Sequence, residues 1–407
     1  MTVCDPVSTP DDALDAAEDL RANGLHDEAL ALIAPHLPQG GRRLHCLYAD
    51  LLLEQGRTGE TIRHLETALR LFADSPALWL RLGRAFSSAQ RSEEAIDALQ
   101  EAAALDGGSR DIVLALGMAR QQADDLPRAI ADYERLLRRN PEDVEAHFRL
   151  GECWAALDET DRAARAFNRV LVLDPADHLG AAIRLAEMNS RAAPLRASRS
   201  YVRHLFDGYA PRYDTHMRQA LSYRGPEAML ELALPHWPAS PRFAAIADLG
   251  CGSGLSGAAF RPFTDYLVGI DLSPRMTGLA EATGHYDTVA TGDILDWLAA
   301  NPRTYDVAVA CDVVIYFGDL DPLFAAVGDR LAPEGWFLFS TEKGEDDLAN
   351  GFEIGPSRRF RHSAPYLDRI ATQHGFDIRE RRETVLRCER RAPVISYLTI
   401  ARLTRRD

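Results

Sequence analysis

The sequence predicts a two-part protein: an all-α solenoid of short helical repeats, followed by an α/β domain built on a parallel sheet. Three observations carry this. Residue types recur with a 34-residue period between positions 76 and 177. From about residue 240, apolar runs of strand length alternate with helical stretches, the pattern of a parallel sheet. Between the first of these runs and its helix lies ADLGCGSGLSG, residues 247–257, a glycine-rich turn. The length of 407 residues is enough for two or three domains, and 26% charged residues beside 46% hydrophobic ones argue against wholesale disorder.

The repeat is in register when the chain is cut before Pro76, Arg110 and Val144. Position 4 is then Trp79, Val113 and His147; position 8 is Gly83, Gly117 and Gly151; position 20 is Ala95, Ala129 and Ala163. Position 24 is Leu99, Tyr133 and Phe167, and position 32 is Gly107, Pro141 and Pro175. Small residues at 8 and 20 let two helices approach, large ones at 4 and 24 fill the space between units, and position 32 stops the second helix. The pattern resembles the tetratricopeptide repeat. Two degenerate units precede, about 42–75 and 10–41, and 178–192 reads as a capping helix. The expected solenoid therefore spans 10–192, with a linker over 193–200. Such arrays present a concave surface for a protein or peptide partner, or serve only as a scaffold.

Charge is uneven. Of the net −15, residues 1–195 hold −12 and the remainder −3. An acidic first half argues against nucleic acid or an anionic membrane as partner. The basic residues are 45 Arg and a single Lys, Lys343, so the repeats lack the lysines often used to grip acidic peptide ends. The six cysteines form no C-x-x-C pair and no His/Cys cluster, so neither a metal site nor a disulfide framework is expected. No apolar run approaches membrane-spanning length and the N-terminus lacks a signal-like core, so a cytoplasmic location is expected.

In the second half, 243–249, 266–270, 307–310 and 336–340 read as strands, and 395–403 as a last strand completing the sheet. Ligands of such sheets bind at the C-terminal ends of the strands. Gly250, Gly252 and Gly254 sit in the first turn, where glycine allows positive φ and close approach of a ligand to the backbone. Gly252, Gly254 and Gly257 also spell the dinucleotide fingerprint, so the glycines alone do not separate one adenosine cofactor from another. Asp248 precedes the turn, where a carboxylate suits a cationic amino-acid end and would repel a pyrophosphate. Asp271 ends the next strand, placed for ribose hydroxyls. Asp293 follows the next expected strand, placed either for an adenine amino group or as a helix N-cap. Asp312 ends the strand after that, facing the same crevice.

These four segments, in this order, resemble the class I S-adenosylmethionine-dependent methyltransferases, whose domain is Rossmann-like. The resemblance covers residues 201–407. It implies that Gly250, Cys251, Gly252 and Gly254 line the methionine and ribose portions of S-adenosylmethionine, with S-adenosylhomocysteine as product. It further implies that Asp271 and Leu272 flank the ribose, and Asp293 and Ile294 the adenine. YVRHLFDGYAPRYD, residues 201–214, resembles the F-D-x-x-A-x-x-Y-D lid segment of many small-molecule methyltransferases, with Tyr209, Arg212 and Tyr213 as lid residues. A packed helix is the plainer alternative. The whole chain resembles bacterial methyltransferases that contain tetratricopeptide repeats.

Methyl transfer is an in-line displacement that needs alignment and, where the nucleophile carries a proton, a base. Candidates at the crevice rim are Asp312, Tyr316, Glu342 and His362. His362 lies beside Arg358, Arg359 and Arg361, a stretch expected to form a loop suited to an anion, or simply solvated. Lys343 is expected on the surface. The expected function is methyl transfer to a small-molecule acceptor. The alternatives are a protein methyltransferase whose repeats recruit the target, and a non-catalytic repeat scaffold with a cofactor-binding domain.

Overall fold

The computed structural model describes residues 9–189, 192–210, 213–215, 217, 223–389 and 392–404. The chain divides into two compact units, Met1–Leu173 and Asp174–Asp407.

The described residues of the first unit form helices joined by short turns. Its helices follow in consecutive pairs: α1 (Pro10–Ala22) with α2 (His26–Ile33), α3 (Arg42–Glu54) with α4 (Thr58–Leu71), and α5 (Pro76–Ser88) with α6 (Ser92–Leu105). The last pairs are α7 (Arg110–Gln122) with α8 (Leu126–Arg139), and α9 (Val144–Ala156) with α10 (Thr160–Leu173). The small residue at position 8 meets the large one at position 24 within each regular unit. A Cβ added at Gly117 would fall 2.6 Å from the Tyr133 ring, and one at Gly151 would fall 2.8 Å from the Phe167 ring. Gly83 stands in the same relation to Leu99. Ion pairs about one period apart join successive units: Arg42 with Asp74 and Arg81 with Asp50, both at 2.7 Å, and Arg110 with Asp143.

The second unit opens with α11 (Ala181–Glu187), the helix expected to cap the repeats. Its Ile183 is part of the α/β core, and a Cβ at Gly180 would press on the Tyr201 ring at 2.7 Å. Amphipathic packing against this core, which periodicity alone cannot assign to one neighbour or the other, places α11 here. The expected linker is also structured. Ser198 accepts from the Tyr201 amide at 3.0 Å as N-cap of α12 (Arg199–Tyr209), and its hydroxyl donates to Asp177 O at 2.8 Å.

The sheet contains β1 (Ile246–Leu249), β2 (Leu267–Asp271), β3 (Thr288–Thr291), β4 (Tyr305–Ala310) and β5 (Leu331–Lys343), parallel in the order β3-β2-β1-β4-β5. Beyond β5, β9 (Ala392–Leu403) runs antiparallel and pairs with β8 (Phe376–Glu389). At the C-terminal end of β5, β7 (Phe360–His362) adds in parallel and carries β6 (Phe352–Ile354). The central strands β1, β2 and β4 are buried on both faces, as parallel strands under helices are, while the edge strand β3 is partly exposed. Along β4, Val307 and Val309 enter one core, and Ala308 and Ala310 the other. Strand order reverses between β1 and β4, which opens a crevice at their C-terminal ends.

Candidate active site

That crevice holds a cavity whose empty space, counted out through its open mouth, is about 650 Å³. Of the residues singled out from the sequence, Tyr213, Gly250, Gly252, Asp271, Leu272, Asp293, Ile294, Asp312 and Tyr316 line it.

The glycine turn leaves β1 and enters the helix Leu255–Phe260. Gly250 has φ +80°, and a Cβ there would collide with the Val313 side chain at 2.5 Å. Gly254, the N-cap of that helix, has φ +93°. Gly257 is different in kind: a Cβ there would strike Tyr286 at 2.6 Å, so this glycine serves helix packing. Asp271 braces the turn, since Oδ2 accepts from the Gly252 amide at 3.0 Å and Oδ1 from the Ser273 amide at 2.8 Å. Burial raises its pKa, opposed by those amides.

Asp248 and Cys251 do not line the cavity but lie just behind the turn. Asp248 is buried, Oδ2 accepts from Tyr286 Oη at 2.7 Å, and Oδ1 has no partner among the described residues. Burial pushes its pKa up to about 7. An orphaned buried carboxylate oxygen beside an open glycine turn fits a cationic ligand end, reached directly or through water.

The segment over the turn is held by both aspartates of the F-D-x-x-A-x-x-Y-D pattern. Ser273 Oγ donates to Asp207 at 2.5 Å, and Ser253 Oγ donates to Asp214 in α13 (Tyr213–Thr215). Phe206 and Tyr213 thereby reach the cavity wall. Tyr209 stands off the wall and packs its ring 5.1 Å from that of Tyr213. Arg212 lies outside the described residues.

Asp293 takes the N-cap role: it caps the helix Ile294–Ala300, accepting from the Leu295 amide at 3.0 Å, and it lines the cavity.

Glu342 and His362 are corrections. Glu342 was expected past the end of a strand, but β5 runs on to Lys343 between β9 and β7, so Glu342 is enclosed. Its Oε2 accepts from Ser357 Oγ at 2.8 Å, and Arg387 donates to its Oε1. Burial raises its pKa and Arg387 opposes the shift. His362 belongs to β7, not to a loop, and is fully buried. Its Nε2 donates to Gly318 O at 3.1 Å, and burial pushes its pKa down to about 4, a neutral core histidine. The neighbouring arginines are engaged with carboxylates: Arg361 with Glu353, Arg358 with Glu187 at 3.6 Å and Arg359 with Glu342 at 3.7 Å. Lys343 pairs with Glu383 at 2.7 Å.

Sequence reasoning missed Arg196, Ala197, Val202, Gly292, Cys311, Val313 and Phe317, which complete the wall. Arg196 and Ala197 stand in the stretch read as linker. The serine followed by helical residues at 198–201 was the available sign that chain order begins there.

Residues 213–381 match a family described as a methyltransferase domain, and residues 52–118 and 114–178 match tetratricopeptide repeat families. Residues of this chain are 34% identical over 165 positions to trans-aconitate 2-methyltransferase of Streptomyces avermitilis, covering 38% of this chain and 58% of that protein. They are 30% identical over 101 positions to the ubiquinone biosynthesis O-methyltransferase of Burkholderia lata, covering 23% of this chain and 42% of that protein. The chain thus spans about half the length of the curated relatives it matches. Among solved structures, magnesium protoporphyrin IX methyltransferase from Synechocystis PCC 6803 with bound SAH aligns at a TM-score of 0.35 and 18% identity, over 44% of this chain and 82% of that one. The second unit is thus similar to methyltransferase domains over residues 213–381, and the matches to tetratricopeptide repeats precede that stretch in the chain.

Proposed function

We propose that the protein transfers a methyl group from S-adenosylmethionine to a small-molecule acceptor, with the repeats as a partner-binding module. The observation that carries this is the convergence of the glycine turn, Asp271, Asp293, Asp312 and the Tyr213 segment on one cavity at the sheet's switch point. The two curated relatives, a trans-aconitate 2-methyltransferase and a ubiquinone biosynthesis O-methyltransferase, support a small-molecule acceptor.

When bound, S-adenosylmethionine supplies a methyl group already activated by its sulfonium. The chain's own residues then have three tasks. Gly250, Gly252 and Asp271 hold the ribose and the amino-acid end, and Asp248 answers the ammonium from behind the turn. Tyr213 and Phe206 close over the site and exclude water. Asp312 and Tyr316 stand at the wall to orient the acceptor. Alignment in a dry cleft supplies most of the acceleration of such a displacement.

Isothermal titration with S-adenosylhomocysteine tests the cofactor half: Asp271→Ala weakens binding at least roughly tenfold, the loss expected for a charge-assisted contact. No binding by the wild type sinks the reading. The repeats favour a second reading, in which they recruit a protein to be methylated. Incubating the full chain with radiolabelled methyl donor and a cell extract separates the two. Label in the metabolite fraction supports the first, and label confined to protein supports the second.

A further inference from the structure

One wall residue of the cavity has no part in the function above. Arg196 lies in a segment fastened to the stretch after β4. Ala197 N donates to Tyr316 O at 2.9 Å, and the amides of Gly318 and Asp319 donate to Leu195 O at 2.9 and 2.8 Å. Arg196 Nη2 donates to Asp293 Oδ2 at 2.5 Å, and Arg199 Nε lies 3.1 Å from the same oxygen. Asp293 Oδ1 already accepts from the amides of Leu295 and Asp296. A carboxylate has about four acceptor sites, and three of those of Asp293 accept from this chain's own groups, with Arg199 beside them. Asp293 is thus largely turned toward the protein, and Arg196 is the group it holds at the wall.

The guanidinium is fixed on a face as well as an edge. Its carbon lies 4.7 Å from the centroid of the Phe317 ring. Arg196, Phe317, Asp293 and Ile294 all line the cavity. Arg196 is therefore a flat cation held along one edge by Asp293 and backed on one side by an aromatic ring. A guanidinium is planar, weakly hydrated and stacks on π systems, which an ammonium does not.

We infer that Arg196 is the stacking surface for the planar base of the cofactor, and that Asp293 acts on the base by fixing Arg196. This rests on the reading that the cavity takes S-adenosylmethionine. It assigns a base-binding role to a residue outside the glycine turn and outside the aspartate series.

Arg196→Lys keeps the charge and a partner for Asp293 but removes the flat face. By isothermal titration on the full chain, it weakens S-adenosylhomocysteine roughly five- to tenfold, the scale of a lost desolvated cation–π contact. Adenosine, which lacks the amino-acid end, loses affinity by the same factor. Phe317→Leu, which leaves the ion pair untouched and removes the backing ring, weakens both ligands in the same direction. It also stands in if Arg196→Lys fails to fold. If Arg196→Lys binds S-adenosylhomocysteine as the wild type does, the inference is overturned while the cofactor reading stands. If S-adenosylhomocysteine weakens and adenosine does not, Arg196 contacts the cofactor's carboxylate and the stack is again overturned. If the wild type binds neither ligand, the cofactor reading falls and takes the stack with it.

Discussion

Arg387, on β8, hydrogen-bonds Asp312, at the end of β4, across 75 residues of sequence. The same guanidinium donates to Glu342 and is only 2% exposed, so one buried cation answers two carboxylates. Asp312 sits at φ +60°, unusual for a side-chain-bearing residue, and its amide donates to Ser340 Oγ at 2.7 Å. Arg387 is a positioning residue: it sets where the Asp312 carboxylate stands at the cavity wall.

Replacing it takes the buried guanidinium away from both carboxylates and leaves Glu342 with Ser357 and the more distant Arg359. Arg387→Met destabilises the second unit by about 3–5 kcal/mol, the usual result of removing one partner from a buried ion pair. Adding Glu342→Gln to Arg387→Met recovers part of that loss, because one stranded charge is gone. Thermal unfolding of the single and double variants checks this. A double variant no more stable than the single one contradicts the account.

In the repeats, the Gly151–Phe167 contact leaves no room for a methyl group. Gly151→Ala destabilises the first unit by about 1–3 kcal/mol through overpacking, despite alanine's better helix propensity. Phe167→Leu in that background restores space and recovers part of the loss. Circular dichroism melts read both effects, and a stabilising Gly151→Ala refutes the packing argument.

Asp248 titrates near neutrality. Its pKa is raised from 3.8 to about 7. Its contribution to stability is therefore full below pH 3.8 and is lost as pH rises through about 7, by up to about 4 kcal/mol. A cationic ligand end favours the ionised form. S-adenosylhomocysteine thus binds more tightly as pH rises from about 6 to about 8, by this linkage. Asp248→Asn flattens that dependence. Titration calorimetry at several pH values decides it, and an unchanged slope in Asp248→Asn refutes the assignment.

His362 has the opposite sign. Its pKa falls from 6.5 to about 4, so its contribution is present above pH 6.5 and is lost as pH falls through about 4. The loss is about 3 kcal/mol. His362→Phe, placed among Phe352 and Tyr366, removes this acid sensitivity and leaves methyl transfer intact. Melts at pH 5 and pH 7.5, beside a turnover assay, test both statements. Loss of turnover in a folded His362→Phe variant restores the histidine as a candidate base.

Much of the architecture was legible because it depends on local rules. The 34-residue period repeats one packing contact, Gly117 on Tyr133 and again Gly151 on Phe167, and repetition makes a pattern visible in one dimension. The glycine turn declares itself because Gly250 needs both positive φ and an absent Cβ. Asp271 follows a strand by the short spacing of a parallel sheet. Glu342 and His362 were misplaced because strand ends are decided by neighbours: β5 extends to Lys343 only because β9 and β7 pair with it.

By itself, the sequence determined the order of the parts, the glycine turn after the first strand and the acidic residues at successive strand ends. Each is set by backbone conformation or by spacing of a few residues. Only the tertiary structure decided which charges are spent on one another. Arg387 meets Asp312 across the sheet, Arg196 meets Asp293 from a stretch that reads as linker, and α11 joins the α/β core. Ion pairing and burial depend on distance in space, and residues brought together by strand order leave no trace in their separation along the chain.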